Sequence, residues 1–278
     1  MNGPRAAAAP SFRNGVARVF DLSLGEMLWS RRTIFMGIIL GTPVLLALVI
    51  RVVDATGVAP LRVNGERVGG ATIFGVMLWW LYLRFIVPVL GVFYGTSLIA
   101  DEVEDKTLTY LFTRPVSRGA VLLGKYLAYL VCTTLVVLPS VMLVFFLIVP
   151  LGEIGGAFTT LLTDLGLLAL GLAVYGALFA LVGTVMKRPL VAGLIFAFGW
   201  EQIAMVMPGY LRKVTVVYYL QGLVPHAIPS DGIVSLLASV FQDTPSATTC
   251  LFWLFTALIV SLTAAARAVQ RREYVLGQ

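Results

Sequence analysis

Two side chains stand out as candidates for chemistry: Arg84 and Glu201, charged residues embedded in apolar sequence. A third candidate is the octapeptide GAVLLGKY, Gly119–Tyr126, which matches seven of the eight positions of the phosphate-binding pattern G-x-x-x-x-G-K-[ST]. In such a loop the backbone amides cradle phosphate and the final hydroxyl holds magnesium. Here Tyr126 stands in place of the hydroxyl, the residues AVLL favour continuing a helix, and no strand-like run precedes Gly119. The segment is expected to be helix rather than a nucleotide site, so neither ATP nor Mg is expected on this chain. The single histidine, His226, cannot build a histidine-based site, and neither H-E-x-x-H nor G-x-S-x-G occurs. Cys132 sits inside an apolar run and Cys250 at the edge of another, which reads as two small apolar residues rather than a disulfide or a metal site.

The elements that must position these residues are long and apolar. The 278 residues are 59% hydrophobic and 12% charged, against about 25% charged for a soluble domain. That places the chain in the membrane class. Six spans are expected: about Ile34–Ile50, within Ile73–Ala100, and about Val121–Val149, Leu161–Met186, Leu190–Met207 and Thr248–Ala266. The fold class is therefore an all-α polytopic membrane protein with six transmembrane helices. Residues 34–267 form the transmembrane domain. Residues 1–33 precede it and residues 268–278 follow as a tail. Pro88 and Pro139 are the natural kink points. Phe12, Val16, Val19, Phe20 and Met27 fall on one helical face with arginines beside them, as in a helix lying along a membrane surface.

Lysine and arginine set the orientation. With the N-terminus cytoplasmic, fourteen of the twenty basic residues fall inside and five outside, and Arg84 lies within the second span. Both termini are then cytoplasmic, and the location is the cytoplasmic (inner) cell membrane. The net charge of +6 follows this topology and does not point to nucleic acid. No cleavable signal is evident. An outer segment, residues 208–247, carries the amphipathic stretch YLRKVTVVYYLQGLVP, suited to the outer leaflet.

Ionisable residues inside a membrane default to functional hypotheses. At a rise of about 1.5 Å per residue, Arg84 and Glu201 lie at similar depths, roughly 24 and 20 Å from the inner end. They either belong to a polar network tying the second and fifth spans together, or face a cavity and contact a polar substrate. The glycine pairs of GIILG (Gly37–Gly41) and GVFYG (Gly91–Gly95) have the spacing of close helix contacts and could mark a dimer seam.

The segment from Asp101 to Lys125 lies between two spans, yet it holds four acids and four bases. Leu108, Leu111 and Phe112 fall at i, i+3 and i+4, so residues 101–112 can form a short amphipathic helix with its acids at the favoured N-terminal end. Pro115 ends it. A short helix with an apolar face, held at the membrane, is a docking element for a soluble partner. The stretch YGTSLIADEVEDKTLTYLFTRPVSRGAVLLGK resembles the most characteristic segment of permease subunits of ABC-2-type exporters. The matching positions are Gly95, Ile99, Glu102, Glu104, Thr107, Leu108, Leu111, Pro115, Val116, Ser117, Arg118 and Lys125. Lys106 departs from the pattern, since many relatives carry glycine there.

The resemblance implies a non-catalytic permease, not an enzyme, that works with two copies of a separate ABC ATPase, which carries the ATP and Mg. It also implies a second permease subunit, expected as a homodimer, in a lipid membrane and without nucleic acid. The cytoplasmic coupling helix would lie in residues 101–118, with Glu102, Glu104, Thr107, Leu108, Leu111, Phe112, Pro115 and Arg118 carrying the contact to the ATPase. Two other classes compete. An ion-coupled secondary transporter would favour several mid-span carboxylates and inverted repeats. An integral membrane enzyme or assembly factor without an ATPase would need one of the missing catalytic motifs.

Overall fold

A computed structural model describes residues 12–56, 62–63, 66–67, 69–104, 117–150, 152–206, 210–224 and 245–271. Helices account for these residues almost throughout. The exception is a two-residue antiparallel ladder, β1 (Arg62–Val63) with β2 (Glu66–Arg67). The helices are α1 (Phe12–Leu28), α2 (Arg31–Thr56), α3 (Gly70–Ala100, running on to Glu104), α4 (Arg118–Ile148), α5 (Ile154–Val185), α6 (Pro189–Ala204), α7 (Val216–Gln221) and α8 (Ala247–Arg271).

Among the described residues five helices, α2, α3, α4, α5 and α8, are long and apolar enough to cross a membrane. The chain is a multi-pass membrane protein. The helix expected as the fifth span, α6, is shorter. Pro189 sits in its first turn, a π-helical stretch (Ile195–Trp200) interrupts it, and its last α-helical segment ends at Val206. By contrast α4 and α5, at 31 and 32 residues, reach about 47 Å at 1.5 Å per residue. Both exceed a hydrocarbon core of about 30 Å.

The core lies between α3, α4 and α5. In α3 the most apolar window is 67% buried and in α5 61%, whereas in α2 and α8 the share is 22%. The peripheral pair turns large apolar side chains outward, among them Ile38, Leu45 and Val52 on α2 and Phe252, Phe255 and Ile259 on α8. Lipid, not water, is the surrounding that such faces fit.

Glycine and tyrosine set the spacing of the central helices. A Cβ on Gly176 would lie 2.1 Å from Tyr129 Cε1. The missing side chain lets the Tyr129 ring lie against the α5 backbone, where its hydroxyl donates to the Leu172 carbonyl (2.9 Å). Tyr126 donates likewise to the Ala173 carbonyl (2.8 Å). In this way α4 brings two buried hydroxyls into an apolar core without leaving either unpaired. Between α3 and α5, which run parallel, Gly91 meets Tyr175, Gly95 meets the Gly176 carbonyl, and Gly183 meets the Thr96 carbonyl. Gly91 and Gly95 are thus used within the chain, which removes them from the expected dimer seam. Around Gly37 and Gly41 on α2 no atom of the described residues lies within 4 Å of where a Cβ would stand.

Pro88 lies in a short α-helical turn, Val87–Leu90, between two π-helical stretches, Leu78–Ile86 and Gly91–Gly95. Proline offers no N–H and its ring crowds the carbonyl four residues back. The wider turns on either side absorb that mismatch, and such turns recur at functional positions. Pro139 is carried inside α4.

The α1 face expected to be apolar does turn inward over Val16, Val19, Phe20 and Met27, while Phe12 is exposed. It packs on α4, and the closest approach is at Gly124, where a Cβ would lie 2.9 Å from both the Val16 carbonyl and Val19 Cβ. The second glycine of the near-miss phosphate loop is therefore a helix-packing glycine, and residues 118–125 are the first turns of α4.

Candidate functional site: the polar cluster of α3, α5, α6 and α7

Glu201 follows directly on the π-helical stretch of α6 and is 1% exposed. Its Oε2 accepts from the Tyr175 hydroxyl on α5. Its Oε1 accepts from the Val216 backbone N–H at 3.2 Å. Val216 is the first residue of α7, and the first N–H groups of any helix lack internal partners. The α7 cap residue, Thr215, makes no side-chain cap bond. Glu201 supplies the missing acceptor from another helix, and a carboxylate at this helix end also suits the helix dipole. One side chain thus ties α5, α6 and α7 together.

Arg84 lies within the first π-helical stretch of α3. Its Nε donates to Gln202 Oε1 at 2.8 Å, and its guanidinium carbon sits 4.8 Å from the centre of the Trp80 ring. Arg84 and Glu201 are therefore linked through adjacent residues of α6 rather than by a direct ion pair. The cluster is walled by aromatic side chains: Phe85 and Phe198 stand 5.7 Å apart on the outward side, and Tyr175 stacks on Phe179 within.

Two members of the cluster, and a buried acid elsewhere on α5, are not found by reading the sequence. Tyr175 and Gln202 carry the hydrogen bonds of Glu201 and Arg84 but bear no charge, so a search for ionisable residues passes over them. Asp164, fully buried on α5, is a third charged position inside an apolar run. It lies among Thr159, Thr160 and Thr163, which blur the edge of that run. The signal that could find it is the length of α5, which begins at Ile154 rather than near Leu161.

At the other end of α3 the expected coupling segment is only partly described. Thr107, Leu108, Leu111, Phe112 and Pro115 lie outside the described residues. Glu102 and Glu104 belong to the helical segment Ser97–Glu104, in which the backbone of α3 continues the span through the acids at 101–104. Arg118 opens α4, and its Nη1 donates to the carbonyls of Val269 and Gln270, both at 3.4 Å. It covers carbonyls at the C-terminal end of α8, where a cation is favoured. A cavity of about 330 Å³ lies elsewhere, between the first turns of α3 and α5 and the end of α4, and Phe74, Phe145 and Leu161 are among its walls.

Residues 17–274 match the model of a family described as ABC-2 family transporter protein. No curated protein matches the chain.

Proposed function

The chain belongs to the ABC-2 transporter family, and on that premise we propose that it is the transmembrane permease subunit of an ATP-driven exporter. A separate ABC ATPase, in two copies, binds ATP and Mg. Two permease chains form the membrane path as a homodimer. The coupling segment 101–118 docks on the ATPase, and ATP-driven closure of the ATPases moves the spans through it. The termini and this segment face the cytoplasm. Residues 34–267 form the transmembrane domain with α6 as its fifth, shortened span, and residues 208–247 lie on the outer side.

The observation that carries this reading is the family match across a charged segment held between two spans. Two features of the fold support it. The segment leaves directly from α3, which is locked to α5 at Gly91, Gly95 and Gly183, and it re-enters at Arg118, which is bonded to α8. A push on the segment therefore reaches α3, α4 and α8 together. The test is hydrolysis: the purified chain alone should turn over no ATP, and ATPase activity should appear on adding the ATPase. Turnover by the isolated chain would overturn the assignment.

A further inference from the structure

We propose that the α3–α6 face around Arg84 binds the anionic head of an amphiphilic substrate. The two outer nitrogens of the guanidinium would hold the acid group, and Trp80, Phe85 and Phe198 would hold the apolar body. This deepens the permease reading and rests on it for the word substrate.

Arg84 lies midway along the 31-residue α3, about 20 Å from either end at 1.5 Å per residue. An arginine at that depth is costly unless its donors are satisfied. Of its five N–H donors, Gln202 takes the one on Nε. The two Nη nitrogens have no acceptor among the described residues. Glu201 does not fill that place: its two oxygens are engaged with Tyr175 and Val216, and Arg84 donates to Gln202 instead.

Arg84 itself is only partly buried, and the side chains around it are open: Trp80 is 42% exposed, Phe85 46% and Phe198 38%. The result is a fixed, outward-facing cation in an aromatic frame. Trp80 and Gln202 fix the plane of the guanidinium, leaving its fork free for the paired oxygens of a carboxylate, sulfonate or phosphate. A second copy of the chain does not satisfy it by symmetry, since the same face brings another Arg84, and the one carboxylate within residues 70–100 and 189–204 is the buried Glu201. Bilayer lipids keep their headgroups at the interface. An anion at this depth therefore arrives as cargo, and an aromatic frame fits cargo with an apolar body.

The test uses the full chain in nanodiscs of zwitterionic lipid. Stearate carrying a nitroxide near its carboxylate, and the methyl ester of the same molecule, serve as probes of tryptophan fluorescence. The acid should quench saturably and bind about tenfold more tightly than the ester, as a charge-assisted hydrogen bond at a dehydrated site implies. Trp80→Phe should remove the saturable part of the signal. Arg84→Gln should reduce the acid to the ester's affinity, Arg84→Lys should fall between, and Arg212→Gln should change nothing. Equal binding of acid and ester to the native chain would overturn the proposal, and this comparison stands even if Arg84→Gln fails to fold. So would undiminished binding to folded Arg84→Gln, or equal competition by anionic lipid at the same mole fraction. Neither ATP nor ATPase is present, so the outcome is independent of whether the chain proves to be a permease.

Discussion

Arg84 and Glu201 are opposite charges at similar positions in the membrane part of the chain, and their surroundings treat them differently. Glu201 is 1% exposed, with one oxygen on a tyrosine and the other on a helix start. Arg84 is partly open, with one hydrogen bond among the described residues and a ring at 4.8 Å. Depth alone would assign both the same role. What separates them is how the described residues engage them: both oxygens of Glu201 are bonded to other helices, so it is a tie between them, whereas the Nη groups of Arg84 find no acceptor there.

The comparison can be broken most directly by removing each charge in turn. Glu201→Ala leaves the Tyr175 hydroxyl and the Val216 N–H without their acceptor. At about 1–3 kcal/mol for each of the two buried groups left unpaired, the loss should reach roughly 2–6 kcal/mol. Thermal unfolding in detergent should show a large fall in Tm for Glu201→Ala and a small one for Arg84→Gln. Equal falls would erase the distinction.

Gly176→Ala probes the seam that holds Tyr175 in place. Its Cβ would fall 2.1 Å from Tyr129 Cε1, an overpacking expected to cost about 1–3 kcal/mol. Gly41→Ala, with no atom of the described residues within 4 Å of its Cβ, should be neutral or stabilising in the same assay, as alanine is the better helix former. Tyr175→Phe removes one donor from Glu201 and keeps the ring, so its cost should be about 1–2 kcal/mol. The smallest loss belongs to Trp80→Ala, where a partly exposed cation–π contact is worth about 0.5–1 kcal/mol. A Trp80 effect larger than that of Tyr175 would mean the Arg84 side carries the structure.

The spans are legible because apolar runs about twenty residues long have few alternatives, and α2, α3, α4, α5 and α8 all fall where the runs are. The fifth is less legible: α6 is short and π-interrupted, and hydropathy alone does not reveal either feature. The glycine pairs show the same limit. Gly37–Gly41 and Gly91–Gly95 share one spacing, yet among the described residues only the second meets another helix, at Tyr175, Gly176 and Phe179. Spacing encodes the ability to approach, and the partner comes from the tertiary arrangement. The near-miss phosphate loop is readable as helix from its AVLL interior, while the purpose of Gly124, making room for α1, requires α1 to be in place. The acids at 101–104 look like the start of a new helix because charge suggests a boundary, but the backbone of α3 runs through them to Glu104.

The central claim, that ATP-driven motion enters the chain through residues 101–118, is tested most directly by recovering the ATPase on the membrane-inserted chain. Doubling Leu111→Ala with Phe112→Ala removes the apolar anchors, and each central anchor of an interface is typically worth more than about 1–2 kcal/mol. Recovery of the ATPase should collapse for the doubled variant and stay near native for Asp105→Ala. Undiminished recovery with the doubled variant, in protein still correctly inserted, would contradict the account.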